Sequence, residues 1–163
     1  MISRYTGSVR APAKEYRELL KPCGKPIEKL ALAARRTILD EAPEANEFIY
    51  ELYTIAAHFS FTDRPSDAFV FTTTHAKWIN LGFNFGAALP DPLRLLEGEG
   101  KWIRHVRISK PEDLDQPGVR DLIRAAIAEA EKPAGKIAKA KTVVRRKTSG
   151  ATGSLKTHPS KRG

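Results

Sequence analysis

A chain of 163 residues, 41% hydrophobic and 29% charged, has room for one domain with a sizeable core and the balance of a folded, water-facing body. Its net charge of +9 is concentrated: from Lys132 onward there are ten Lys or Arg and no Asp or Glu, leaving 18 basic against 19 acidic residues in the first 131. A uniformly basic body is thereby excluded. So are an internal disulfide and a Cys-rich zinc site, because Cys23 is the only cysteine.

No apolar run reaches the roughly 18 residues that span a bilayer, and MISRYTGSVRAPAKEY has no apolar segment of signal-peptide length. The expectation is a cytoplasmic protein in a reducing compartment, with no membrane partner.

Residues 1–25 mix Arg, Lys, Pro and Gly without periodicity and read as a flexible N-terminal arm, with one helical turn around 15–20. A helix opens at Pro26, where a missing N–H costs nothing, and Ile27, Leu30, Leu32, Ala34, Ile38 and Leu39 give it an apolar stripe until Pro43. From Glu47 the period becomes two. Phe48, Tyr50 and Leu52 fall on one side and Glu47, Ile49 and Glu51 on the other. Ile55, Ala57, Phe59 and Phe61 then alternate with Ala56, His58, Ser60 and Thr62, the pattern of a half-buried strand.

Asp63 to Asp67 is turn chemistry, and 68–73 is a further strand with Phe69 and Phe71 expected toward the core. Residues 74–77, which include His75, close a hairpin onto a strand with Ile79, Leu81, Phe83 and Phe85 on one face. Asp91, Pro92 and Gly98 have the order of a cap, a first-turn proline and a terminator, predicting a helix of about two turns. A last strand is expected over 102–108. Asp115 is placed to cap a helix whose apolar positions are Val119, Leu122, Ile123, Ala126, Ile127 and Ala130. Beyond Lys132 large apolar residues are few, so burial cannot offset ordering entropy and disorder is expected.

Several of these residues together resemble the YdhG-like domain family, small bacterial proteins of uncharacterised function. The likeness rests on Glu47 with the strand after it, Asn80-Leu81-Gly82-Phe83 leading to Gly86-Ala87-Ala88-Leu89, Asp91-Pro92 with Leu96-Glu97-Gly98, Gly100-Lys101, and Arg104-His105. It covers 27–131 and leaves out the arm and the tail. The resemblance implies an α+β domain with a curved antiparallel sheet and helices packed on one side. Some members of that family are regarded as frataxin-like iron chaperones that supply iron–sulfur assembly. With the strands read above, the expectation is a sheet of about five strands, a domain over 26–131 and a disordered basic tail over 132–163.

Four groups of residues are candidates for chemistry. Asp40, Glu41, Glu44, Glu47 and Glu51 lie within twelve residues, and carboxylate oxygens suit iron; a solvated helix end and loop would carry the same residues. The polar side of the sheet holds His58, Trp78, Asn80 and Asn84, with His105 and Arg107 sharing a face of the last strand, a set able to hold a small polar or anionic ligand. The turn Gly98-Glu99-Gly100-Lys101 with Arg104 could cradle an anion, although it is not a Walker loop and a helix cap explains its glycines equally. The tail cations Lys136, Lys139, Lys141, Arg145, Arg146 and Lys147 could neutralise phosphates, but no aromatic residue is interleaved to stack on bases.

No Gly-x-Ser-x-Gly elbow, His-Glu-x-x-His or Gly-x-Gly-x-x-Gly is present, and Cys23 has no positioned base. The leading expectation is a non-enzymatic module that binds a small ligand or a protein on the polar sheet face. Iron handling on the acidic segment, with iron as a possible cofactor, is an alternative, as is non-specific nucleic-acid association through the tail.

Overall fold

A computed structural model describes residues 9–135 and 138–147. It is an α+β fold built on one open mixed sheet in the order β5-β4-β3-β2-β1-β6. The strands are β1 (Asn46–Glu51), β2 (Ile55–Ser60), β3 (Val70–Thr74), β4 (Ile79–Phe83), β5 (Arg104–Ile108) and β6 (Thr142–Arg145). The helices are α1 (Lys14–Leu20), α2 (Lys25–Glu41) and α3 (Val119–Glu129). None of these helices is long and apolar enough to cross a membrane.

The α2 stripe Ile27, Leu30, Ala31, Ala34 and Ile38 recurs every three or four residues and is buried. It meets the alternate strand positions Ile49, Ala57, Phe59, Val70, Ile79, Leu81, Phe83, Val106 and Ile108, while α3 adds Val119, Leu122, Ile123 and Ala126 to the same core. Ile79, Leu81 and Phe83 are each fully buried, as the alternation in β4 predicts. All of these helices therefore lie on one side, and the other side of the sheet is left to present its own residues.

Both expected boundaries of the domain move outward. The arm expected over 1–25 contains α1 instead, and its Tyr16, Leu19 and Leu20 are buried. Seven residues fall below the roughly 12–15 at which an isolated helix holds, so this burial is what keeps α1 formed. At the other end, the tail expected to be disordered over 132–163 supplies a sixth strand. β6 runs parallel to β1, pairing Glu47 with Thr142 and Tyr50 with Arg145, so the sheet is not purely antiparallel. The remaining tail and arm positions, 1–8, 136, 137 and 148–163, lie outside the described residues.

Four local expectations are also corrected. Residues 91–98 form no helix: the Asp91 carboxylate accepts the N–H groups of Leu95 and Leu96, each at 2.9 Å, and Arg94 takes a left-handed φ of 54° that stops helical propagation. Phe71 turns away from the core, because the inward positions of β3 are Val70, Thr72 and Thr74. Phe69, one residue before that strand, is buried and stacks on Phe61 with ring centroids 4.8 Å apart. Phe85 lies past the end of β4, Trp102 and Ile103 lie before β5, and all three are exposed. Finally, Asp115 ends a short 3-10 turn, and α3 begins after Gly118.

Candidate functional site: the open face of the sheet

The strand registers place two rows of side chains on the face the helices leave open. One reads Val143, Phe48, His58, Phe71, Gly82 and His105 from β6 to β5; the other reads Arg145, Tyr50, Ala56, Thr73, Asn80 and Arg107. No strand position in either row is Asp or Glu. In the first row the half-buried Phe71 ring stacks on His58 at 5.4 Å and 22°, and Tyr50 meets His58 edge-on at 5.7 Å. The Phe71 ring lies across Gly82 so closely that a Cβ there would come within 2.2 Å of it. Gly82 is thus the gap that lets a large ring lie flat on the sheet.

Burial among these rings leaves the His58 imidazole poorly solvated and lowers its pKa to about 4, so it is neutral at pH 7. It forms part of an aromatic floor rather than a cationic contact.

The second row continues into the β3–β4 hairpin. Pairing of Thr73 with Asn80 and of Thr74 with Ile79 brings His75 opposite Trp78, and the His75 N–H bonds the Trp78 carbonyl at 2.9 Å. The two rings stack at 5.2 Å and 14°. The Trp78 indole, which can only donate, gives its N–H to Asn80 Oδ1 at 3.0 Å. That fixes the amide, turning Asn80 Nδ2 toward His75 Nε2 at 3.3 Å, with Thr73 Oγ1 3.1 Å from the same nitrogen. An amide N–H pointing at Nε2 requires that nitrogen to accept, so His75 carries its proton on Nδ1. Burial, with His105 and Arg107 nearby, lowers the His75 pKa and favours that neutral form.

The Arg107 guanidinium sits 4.0 Å from the Trp78 ring centroid. Arg107 is exposed and, among the described residues, makes no ion pair. Its N–H donors are therefore held over an aromatic platform and offered to solvent. His105, the next outward residue of β5 on this face, lies 3.7 Å from the Glu97 carboxylate at the sheet margin.

The expected sheet-face residues thus meet only in part. Trp78, Asn80 and Arg107 converge, with His105 beside them, whereas His58 lies in the neighbouring row under Phe71. Asn84 is half-buried beyond the end of β4, and its Oδ1 has no hydrogen-bond partner among the described residues. The glycine turn does not join the cluster: Arg104 donates to the carbonyls of Gly100 and Ile103, and Lys101 lies 5.5 Å over the Trp102 ring. Cavities of about 400 Å³ and 470 Å³ are lined by other residues, the first by Phe69, Phe83, Phe85 and Leu89 with Arg64 and Glu129. No residue of either row lines these two cavities.

The acidic segment is drawn apart by different partners. Arg120 Nη1 reaches Asp40 at 2.9 Å and Glu41 at 2.8 Å, and Arg124 Nε reaches Glu41 at 2.9 Å. Desolvation alone would raise the Glu41 pKa; the hydrogen bonds from Arg124 and Arg120 outweigh it and lower the value. Glu47 is buried against Arg35, Glu51 accepts the Lys147 N–H, and Glu44 is exposed. Among the described residues no group of three or more His, Cys, Asp or Glu is placed to hold a metal ion.

Of the tail cations, Lys136 lies outside the described residues and Lys139 is exposed. Lys141 reaches Asp63 at 3.0 Å and Arg146 reaches Glu18 at 3.1 Å. Arg145 is carried by β6 onto the open face beside Tyr50. The cluster residues not anticipated were Thr73, His75, Phe71 and Tyr50. A two-residue hairpin turn at Ala76-Lys77 was the signal for His75, since it forces residue 75 to face residue 78.

These features define a class: an open-faced α+β protein with helices on one side of a mixed sheet and aromatic, amide and cationic groups on the other. Comparison with protein-family models, with curated proteins and with solved structures finds no match for this chain.

Proposed function

We propose that the chain is a non-enzymatic binding module whose open sheet face takes planar, negatively charged ligands. The carrying observation is Arg107 stacked on Trp78 with its donors facing solvent. An anion gains charge-assisted bonds from the guanidinium, and a flat ring gains contact with the aromatic surface beside it. Support for binding rather than reaction comes from His75, whose Nε2 is already engaged by Asn80 and Thr73 and so has no lone pair to offer as a base.

Trp78 supplies its own reporter once the other tryptophan is removed by Trp102→Phe. In that background adenosine monophosphate should quench Trp78 fluorescence at millimolar concentration, and inorganic phosphate should do so weakly. Arg107→Ala should weaken the nucleotide effect about tenfold, the loss of one charge-assisted contact of roughly 1.5 kcal/mol. Quenching that is absent, or that survives Arg107→Ala unchanged, removes the reading.

A further inference from the structure

Resting on that reading, we propose that the open face binds single-stranded nucleic acid, laid across the strands from β5 to β6. The juxtaposition is one the chain order hides. Arg107 stands on β5 at one edge of the sheet and Arg145 on β6 at the other, with Asn80, Thr73 and Tyr50 in the row between them. Phe71 and His58 lie in the adjacent row, and Trp78 and His75 prolong the row of Asn80 and Thr73 into the hairpin.

Six strands spaced about 4.8 Å apart put the two edge strands about 24 Å from each other. That distance exceeds the reach of one small anion and suits a short run of nucleotides. A chain of phosphates can meet a cation at each edge while its unstacked bases lie on the half-buried rings of Trp78, Phe71 and Tyr50 between them.

Charge complementarity favours this occupant over an acidic protein. The face offers guanidinium groups and ring surfaces together, and carboxylate side chains bring no ring to use the second. The strand positions hold no carboxylate that would repel phosphate; Glu97 stands at the β5 margin, where His105 faces it. Duplex nucleic acid fits poorly, because its bases are stacked on one another and cannot reach the rings.

The test uses the full chain and a fluorescein-labelled oligothymidylate of about twelve residues, read by anisotropy over a range of salt. Binding should weaken with salt, and Arg107→Ala and Arg145→Ala should each lower the slope by about 0.7. Trp78→Leu and Tyr50→Leu should each weaken binding about tenfold, with circular dichroism confirming that the variants are folded. A duplex of equal length should compete poorly.

A duplex that competes as well as the single strand, or affinity indifferent to both aromatic substitutions, would assign binding to the tail cations alone and overturn the proposal. Equal displacement by polyglutamate would overturn it in favour of an acidic protein partner. If adenosine monophosphate still quenches Trp78 through Arg107 but the oligomer binds no more tightly than the mononucleotide, the polymer proposal fails and the small-ligand reading stands. Failure of both probes removes both.

Discussion

Glu47 offers the sharpest perturbation of the architecture that holds the open face. Its side chain is fully buried, and it accepts from Arg35 Nε at 2.6 Å, from Arg35 Nη2 at 3.2 Å and from Thr142 Oγ1 at 2.8 Å. Arg10 Nη2 stands 3.9 Å away. Arg35 in turn donates to the carbonyls of Arg10 and Ala11, so one carboxylate ties the N-terminal segment, α2, β1 and β6 together.

Glu47→Gln keeps the shape and opens no cavity, yet it leaves the Arg35 charge in a site where only 4% of the side chain is exposed. Removing one member of a buried pair costs about 3–5 kcal/mol. The Coulomb term between unit charges 4 Å apart, about 4 kcal/mol at an effective dielectric of 20, is of the same size. Against a total stability of roughly 5–15 kcal/mol, the variant should lose about a fifth or more of its unfolding free energy, read from urea denaturation followed by circular dichroism. The double variant Arg35→Met with Glu47→Leu removes both charges and should be at least as stable as Glu47→Gln. A single variant within about 1 kcal/mol of wild type, or a double variant less stable than the single, would refute the reasoning.

Gly82→Ala should cost about 1–3 kcal/mol, because its Cβ meets the Phe71 ring at 2.2 Å; Phe71→Leu in the same chain should recover part of this in thermal melts, and no recovery would place the strain elsewhere. His58 has a folded pKa of about 4 against its ordinary 6.5, so the unfolded chain binds the extra proton between those values. Its contribution is fully present above pH 6.5, declines as pH falls and is gone below about pH 4, a change of about 3 kcal/mol. Because other groups titrate in acid, the measurement is the wild-type loss minus that of His58→Phe, and equal losses would contradict the assignment. Truncation after Ala138 removes β6, the Thr142–Glu47 bond and the Val144 contact with the core. It should cost about 2–4 kcal/mol and promote concentration-dependent association through the bared β1 edge, checked by melting and sedimentation; an unchanged melting temperature would deny β6 a structural role.

The parts of the fold legible in the sequence are those whose burial is decided locally. In β4 the isoleucine, leucine and phenylalanine alternate with Asn80 and Gly82, and in β2 Ala57 and Phe59 alternate with His58; pleating alone sorts each set to its face. Phe71 defeats the same rule, since its outward position depends on the space above Gly82 on another strand. The Asp91 helix failed because its cap closes a single turn on Leu95 and Leu96, and Arg94 then leaves helical conformation. The pairing of Asp40 with Arg120 and of Glu41 with Arg124 joins residues some eighty positions apart, which the spacing of the acidic segment alone does not reveal. In the site, Trp78, Asn80 and Arg107 were visible by alternation, but the orientation of their polar atoms comes from the hydrogen-bond order indole, amide, imidazole, which requires His75.

β6 shows why composition misplaced the basic residues. Four residues, Thr142 to Arg145, bury little surface of their own, and a Lys-rich flank without carboxylates has the signature of a solvated tail. What orders them is a set of partners already fixed by the rest of the fold: the unpaired edge of β1, the buried Glu47 carboxylate and the Asn46 side chain, whose Oδ1 takes the Lys141 N–H at 3.0 Å. The strand then transfers Arg145 from the basic tail to the aromatic face of a body whose charges otherwise balance. Under the proposed reading, a polyanion that engages Arg107 at one edge would meet Arg145 at the other, so that ligand recognition on the sheet and phosphate neutralisation by the tail form a single proposal.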